Sequence, residues 1–203
     1  MNWAVGVITC PRAQPTLDAT LESLSVAGWK LHPSDVIHDR EMDGCYRNWR
    51  HCAEWLLSDD TADLFMVCED DILVSKNLRE YLERTHLPDG VLSLYCGYIN
   101  HHDEPGWHQV TRLPKYCHGA LATVWTRKLL EGFMAWDRSA EFANSTDILM
   151  GRWCRNTQTP YWCHSPSFVK HTGYTSTLGP GWDEANTILR NCKEWCEDAR
   201  KMP

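Results

Sequence analysis

A continuous apolar run, Leu64-Phe-Met-Val-Cys68, opens directly into three acids, Glu69-Asp70-Asp71. Unbroken runs of this kind suit a strand covered on both faces, the usual condition of a parallel sheet with helices above and below. Three carboxylates at the end of such a strand repel one another beside a low-dielectric core. A hard divalent cation is the simplest way to keep them ionised. A magnesium-like ion would use one or two of them and complete its shell with water and phosphate oxygens. The competing reading is a solvated acidic turn opening a helix, because acids favour helix N-termini. Taken alone, the tripeptide leaves both open.

The surrounding chain alternates strands and helices. Trp3 to Thr9 reads as a buried strand ended by Cys10-Pro11-Arg12. Pro15 opens a helix with Leu17, Leu21 and Leu24 at helical spacing, and Gly28 stops it. Asp35 to His38 is a second strand, with Asp39 at its end. From Gly44 to Leu57 a helix is expected. At about 100° per residue, Cys45, Trp49, Cys52 and Leu56 share one stripe opposite Arg47, Arg50, His51 and Glu54. Asn48 lies beside the apolar stripe and is expected to face packed neighbours or a ligand. Ser75 is the expected cap of a helix carrying Leu78, Tyr81 and Leu82. Val91 to Cys96 and Gly119 to Thr126 read as strands, separated by a loop from Gly97 to Lys115. Helices are expected over Lys128 to Trp136 and Asp147 to Cys154, the second capped by Ser145 or Thr146. Short strands follow at Tyr161 to Cys163 and Phe168 to Lys170. Ala185, Ile188, Leu189, Cys192, Trp195, Cys196 and Ala199 fit one face of a terminal helix.

Such alternation indicates a largely parallel α/β sheet, in which ligands bind beyond the carboxyl ends of the strands. That rule brings Thr9 to Arg12, Asp39 and Glu69 to Asp71 to one edge.

Composition narrows the partners. The net charge of −7 argues against a broad nucleic-acid surface. No stretch reaches the roughly 18 apolar residues of a membrane span. The first ten residues lack a basic leader, so ten cysteines are expected as free thiols in a reducing, cytoplasmic setting. Eleven tryptophans serve the core first, although flat aromatic faces also suit sugar rings. Cys154, Cys163 and His164, like Cys192 and Cys196, lack the spacing of a structural zinc site. Walker loops, nucleophile elbows and dinucleotide glycine fingerprints are missing, which disfavours kinase, hydrolase and dehydrogenase readings.

The N-terminal strand ending in Thr-Cys-Pro-Arg, the helix after it and the buried strand running into Glu-Asp-Asp together resemble a GT-A fold glycosyltransferase. The resemblance spans roughly Trp3 to Ser176 and is strongest in the first 75 residues and around 165 to 176. It implies a single domain with a Rossmann-like, mostly parallel sheet flanked by helices. Residues 1–100 would form the nucleotide-binding half, 101–180 the acceptor side and 181–203 a C-terminal docking helix. Glu69-Asp70-Asp71 stands where that family has its Asp-X-Asp metal motif, with Glu in first place. The resemblance implies manganese or magnesium held by Glu69, Asp71 and His171, the last delivered by Ser165-Pro-Ser-Phe-Val-Lys-His171. It assigns Pro11, Arg12, Asp39, Arg47, Asn48 and Asp70 to the nucleotide sugar, a uridine diphosphate sugar above others. Asp147 becomes the base of an inverting transfer to a carbohydrate or other hydroxyl acceptor. Gly119-Ala120 would lie near the donor sugar. His101 to His108, with Trp107, would border the acceptor, and Thr172 to Trp182 would form a lid. Two other classes remain: a non-catalytic carbohydrate or nucleotide binder of the same fold, and a metal-dependent phosphoesterase.

Overall fold

The computed structural model describes residues 1–12, 14–39, 44–113, 120–136, 146–172 and 192–203. In chain order the elements are β1 (Trp3–Thr9), α1 (Leu17–Ala27), β2 (Val36–His38), α2 (Cys45–Leu57), β3 (Leu64–Glu69), β4 (Ile72–Val74) and α3 (Leu78–Arg84). They continue with β5 (Val91–Ser93), β6 (Gly106–Gln109), β7 (Ala122–Thr126), α4 (Arg127–Ala135), α5 (Thr146–Thr157), β8 (Tyr161–Ser165) and β9 (Val169–His171).

Seven strands form one sheet in the order β2-β1-β3-β7-β5-β8-β6, and β4 pairs with β9 in a separate two-stranded ribbon. β1 runs parallel to β2 and β3, and β5 parallel to β8. β7 is antiparallel to both β3 and β5, and β6 to β8. Five strands therefore share one direction, and β7 and β6 oppose them. The sheet is mixed, mostly parallel and flanked by helices.

Alternation along the central strands divides the core into two layers. Phe65 and Val67 of β3, with Ala4 and Ile8 of β1, pack under α2, α4 and α5. There Trp49, Trp125, Phe133 and Trp153 form a connected aromatic cluster, with Trp125 stacked on Phe133 at 5.3 Å between centroids. Each such pair adds about 0.5–1.5 kcal/mol beyond simple burial. Met66 and Cys68, with Val5 and Val7, face the opposite layer, which holds Leu24 of α1, Leu82 of α3 and Phe168.

Several local expectations change. Ser75 does not cap α3: its hydroxyl is turned inward to the Phe168 and Cys196 carbonyl oxygens, and Asn77 takes the capping position in a left-handed conformation. Gly106 to Gln109, expected as loop, is a strand because β8 offers it an edge to pair with. The strand expected to reach Cys96 ends at Ser93. The docking helix is not found over 192–203. Trp195 bridges Ser167, Asp198 bridges Lys76, and a single 3-10 turn covers Ala199–Lys201. The spacing of Cys192, Cys196 and Ala199 reflects apolar contacts of an irregular segment, whose Cys196 and Ala199 are buried. The earlier part of that expected helix, 185–191, lies outside the described residues. Among the described residues no helix is long and apolar enough to cross a membrane.

Candidate functional site

Parallel alignment of β1 and β3 pairs Ile8 with Glu69, so Thr9 and the acidic tripeptide emerge side by side. The Thr9 hydroxyl donates to Asp70 Oδ2 at 2.5 Å. Its carbonyl oxygen accepts from the Asp39 amide at 2.8 Å and from Asn48 Nδ2 at 3.2 Å. One residue thus ties together the ends of β1, β2 and β3 and the first turns of α2.

The acids turn inward. Asp70 is 2% and Asp71 4% exposed, unusual for ionisable groups unless paired. Their counter-ion is Arg12, with Nη2 2.7 Å from Asp70 Oδ1 and Nη1 2.8 Å from Asp71 Oδ2. The Asp70 contact is an ion pair without hydrogen-bond alignment, since Asp70 Oδ1 lacks a hydrogen-bond partner among the described residues. His171, at the end of β9, brings Nε2 to 3.2 Å from the same Asp71 Oδ2. The ribbon explains that arrival: Ile72 pairs with His171, and the Thr172 amide donates to the Asp71 carbonyl oxygen at 2.8 Å.

Charge at this edge is finely divided. Burial opposes ionisation of Asp71, but the His171 ring and then Arg12 outweigh it, holding the carboxyl below its ordinary range. Burial and then the charge of Asp71 push the Glu69 carboxyl up to about 8, with Arg12 opposing and Asp147 and Asp70 adding to the rise. Asp147 therefore acts on the same edge. It lies in the first turn of α5, beside Thr146, whose hydroxyl is 3.4 Å from Cys45 Sγ at the start of α2. Its Oδ1 accepts from the Ile148 amide at 2.8 Å.

The remaining candidates divide. Arg12, Asp70, Asp71 and His171 meet directly. Asn48 is buried and holds the Thr9 carbonyl. The Asp39 carboxylate accepts from the Gly44 amide at 3.2 Å, closing the approach to α2. Pro11 and Arg47 are exposed. Trp107 packs edge-on against His164 at 5.2 Å and near Phe168, which makes it part of the core layer as well as the loop margin. Ala120 is buried beside β7, while Gly119 and 173–182 of the expected lid lie outside the described residues.

Thr20 was not singled out by the sequence. From the first turn of α1 its hydroxyl reaches the carbonyl oxygens of Asp70 at 2.7 Å and Ile72 at 2.8 Å, and accepts from the Ile72 amide. The available signal was a polar residue between Leu17, Leu21 and Leu24 on the apolar stripe.

The site can be tested for fit to a divalent ion. Among the described residues no three His, Cys, Asp or Glu groups converge tightly enough to enclose one. Asp71 Oδ1 is buried and has no hydrogen-bond partner among the described residues, and His171 is adjacent. Two protein ligands with the rest of the shell left to water and phosphate is the ordinary habit of magnesium, and imidazole with carboxylate also suits manganese. Asp71 and His171 fit that role, and the Glu69 carboxyl lies at the same edge. A groove of about 480 Å³ between the end of α1 and α3 is lined by Gly28, Asn77, Arg79 and Glu83 and contains none of these residues.

No family model matches the chain, and a search of curated proteins found no match. Among solved structures the chain is similar to one described as the crystal structure of A197 from STIV, with 10% identity, 87% of each chain covered and a TM-score of 0.54. A structure of the inositol-1-phosphate CTP transferase from T. maritima has 10% identity over 93% of this chain and 76% of that one, with a TM-score of 0.45. The first likeness shows a shared α/β fold.

Proposed function

We propose that this protein is a glycosyltransferase that moves a sugar from a nucleoside diphosphate, a uridine one by preference, to a hydroxyl acceptor with inversion. The observation that carries this reading is the convergence of Arg12 and His171 on Asp71 at the carboxyl end of β3. Ligands of α/β sheets bind at that edge.

In this reading Asp71 and His171, with Glu69 nearby, hold manganese or magnesium. The ion, when bound, supplies positive charge to a leaving diphosphate. Arg12 presents a planar fork of donors suited to phosphate oxygens. Asp147 takes the proton of the acceptor hydroxyl as its oxygen bonds to the anomeric carbon. The bond from that carbon to the diphosphate breaks, and the diphosphate leaves with the electron pair. In the same reading Asp39 and Pro11 border the nucleoside, and Arg47, exposed on α2, serves the diphosphate or the sugar.

The test is release of nucleoside diphosphate from a panel of sugar nucleotides with manganese. Activity with one donor is expected, reduced at least about a hundredfold by Asp71→Asn and by Asp147→Asn. Turnover unchanged in Asp71→Asn would sink the reading.

A further inference from the structure

Arg12 does something at this edge that a phosphate-binding arginine need not do. Its two terminal nitrogens are engaged by consecutive, almost fully buried carboxylates, and its own side chain is only 14% exposed. Asp71 Oδ2 receives both Arg12 and His171, whereas Asp71 Oδ1 has no hydrogen-bond partner among the described residues. Oδ2 is the Asp71 oxygen beside His171, so a cation held by both residues through it must share that oxygen with a guanidinium or displace it, and one using the open Oδ1 still sits beside the Arg12 charge.

We infer that Arg12 is an internal rival for the ion site, so that a divalent cation and a diphosphate can each bind well only together. The inference rests on the function proposed above. A fixed positive charge next to Asp71 repels an incoming cation and competes for its ligand oxygen. Removing Arg12 outright would leave Asp70 buried with only the Thr9 hydroxyl against its charge, so a cation arriving alone cannot simply push it away. A diphosphate changes that balance. Its oxygens match the planar fork of arginine as well as a carboxylate does, so the guanidinium can turn to the phosphate and give up Asp71 Oδ2. Arg12 lies in the loop three residues beyond β1, outside any regular element. Thr9 keeps its bond to Asp70 throughout, and Arg12 Nη2 can stay on Asp70 while Nη1 leaves Asp71 for the phosphate. By linkage, whatever factor the diphosphate adds to cation affinity, the cation adds to diphosphate affinity.

Free Mn2+ followed by electron paramagnetic resonance, with and without UDP, tests the idea on wild type, Arg12→Gln and Arg12→Lys. Wild type is expected to bind Mn2+ alone weakly and about tenfold or more tightly with UDP present. Arg12→Gln should bind Mn2+ alone about tenfold more tightly than wild type and gain little from UDP. Arg12→Lys keeps the charge but cannot span both acids, and should fall between the two. If Arg12→Gln fails to fold, the lysine variant decides. Variants that bind Mn2+ alone no more tightly than wild type, while wild type still forms a Mn2+–UDP complex, overturn the rivalry and leave the glycosyltransferase reading standing. Wild type that binds neither Mn2+ nor UDP overturns both.

Discussion

The Thr20 hydroxyl, in the first turn of α1, lies 2.7 Å from the Asp70 carbonyl oxygen, fifty residues further along the chain. This bond and its companions to Ile72 fix the turn that points Asp70 and Asp71 inward. Helix α1 is in this sense a brace for the acids. Thr20→Val keeps the shape and removes the hydroxyl, leaving buried carbonyls and an amide without their partner. A loss of about 1–3 kcal/mol is expected in urea unfolding. Mn2+–UDP affinity should fall with it, since the acids lose their support. Loss of stability without any change in that affinity would separate the brace from the site.

Glu69 experiences the charges of Asp71, Asp147 and Asp70 at close quarters, with Arg12 the principal opposing group. Clusters of like charge are tolerated at sites where function requires them and cost stability there. Glu69→Gln is predicted to raise the melting temperature by a few degrees, for a gain of about 1 kcal/mol, and to lower manganese-dependent turnover. A variant that is both less stable and fully active would show that Glu69 is a structural acid.

The large strands and helices were legible because each carries a long apolar pattern of its own. β1, α1 and β3 fall where Trp3 to Thr9, the Leu17-Leu21-Leu24 stripe and Leu64 to Cys68 indicated. Gly28 ends α1 at φ 115°, a conformation glycine reaches without penalty. Elements that owe their form to distant partners were not legible. β4 exists because Ile72 to Val74 pairs with Val169 to His171, about a hundred residues away. The spacing of Cys192, Cys196 and Ala199 fits a helix, yet bridges to Ser167 and Lys76 hold that segment in another form. At the site, the acids and His171 could be picked out by residue type. The double grip of Arg12 and the Thr20 brace could not, because they depend on side-chain reach across β1, β3 and α1.

His164 offers a pH test remote from the acids. Its Nε2 lies 3.1 Å from the Tyr81 hydroxyl and its Nδ1 2.8 Å from the Pro166 carbonyl oxygen, and its ring stacks on Phe168 at 4.0 Å. Nδ1 donates and Nε2 accepts, which is the neutral ring. Burial lowers its pKa to about 4, with the Pro166 carbonyl opposing and His108 adding to the fall. A folded pKa below the ordinary 6.5 means the unfolded chain binds the proton more readily. Stability is therefore complete above about pH 6.5 and is lost as pH falls toward 4. Between pH 7 and pH 5 the loss is about 2 kcal/mol. His164→Gln cannot titrate and should show a shallower dependence over that range in denaturant midpoints. An equal slope in both proteins would assign the acid sensitivity elsewhere.

Gly6 sits inside β1, where a methyl group would collide with Cys52 Sγ and touch Leu56 of α2. Cys52 and Leu56 are buried on the helix stripe that packs against this strand, so neither has room to retreat. Helix α2 can approach β1 this closely only over a residue without a side chain, and that approach lets Asn48 reach the Thr9 carbonyl one turn earlier. Gly6→Ala should cost about 1–3 kcal/mol through overpacking. Cys52→Ala removes the atom in the way, so the double variant should be more stable than the sum of the two single losses predicts, by about 1 kcal/mol or more. A double-mutant cycle by urea unfolding measures this directly. Mn2+–UDP binding should follow the same pattern, weakened in Gly6→Ala and recovered in the pair, because displacement of β1 carries Thr9 and Arg12 with it. Additive losses would mean that the strand, and not the thiol, absorbs the methyl group.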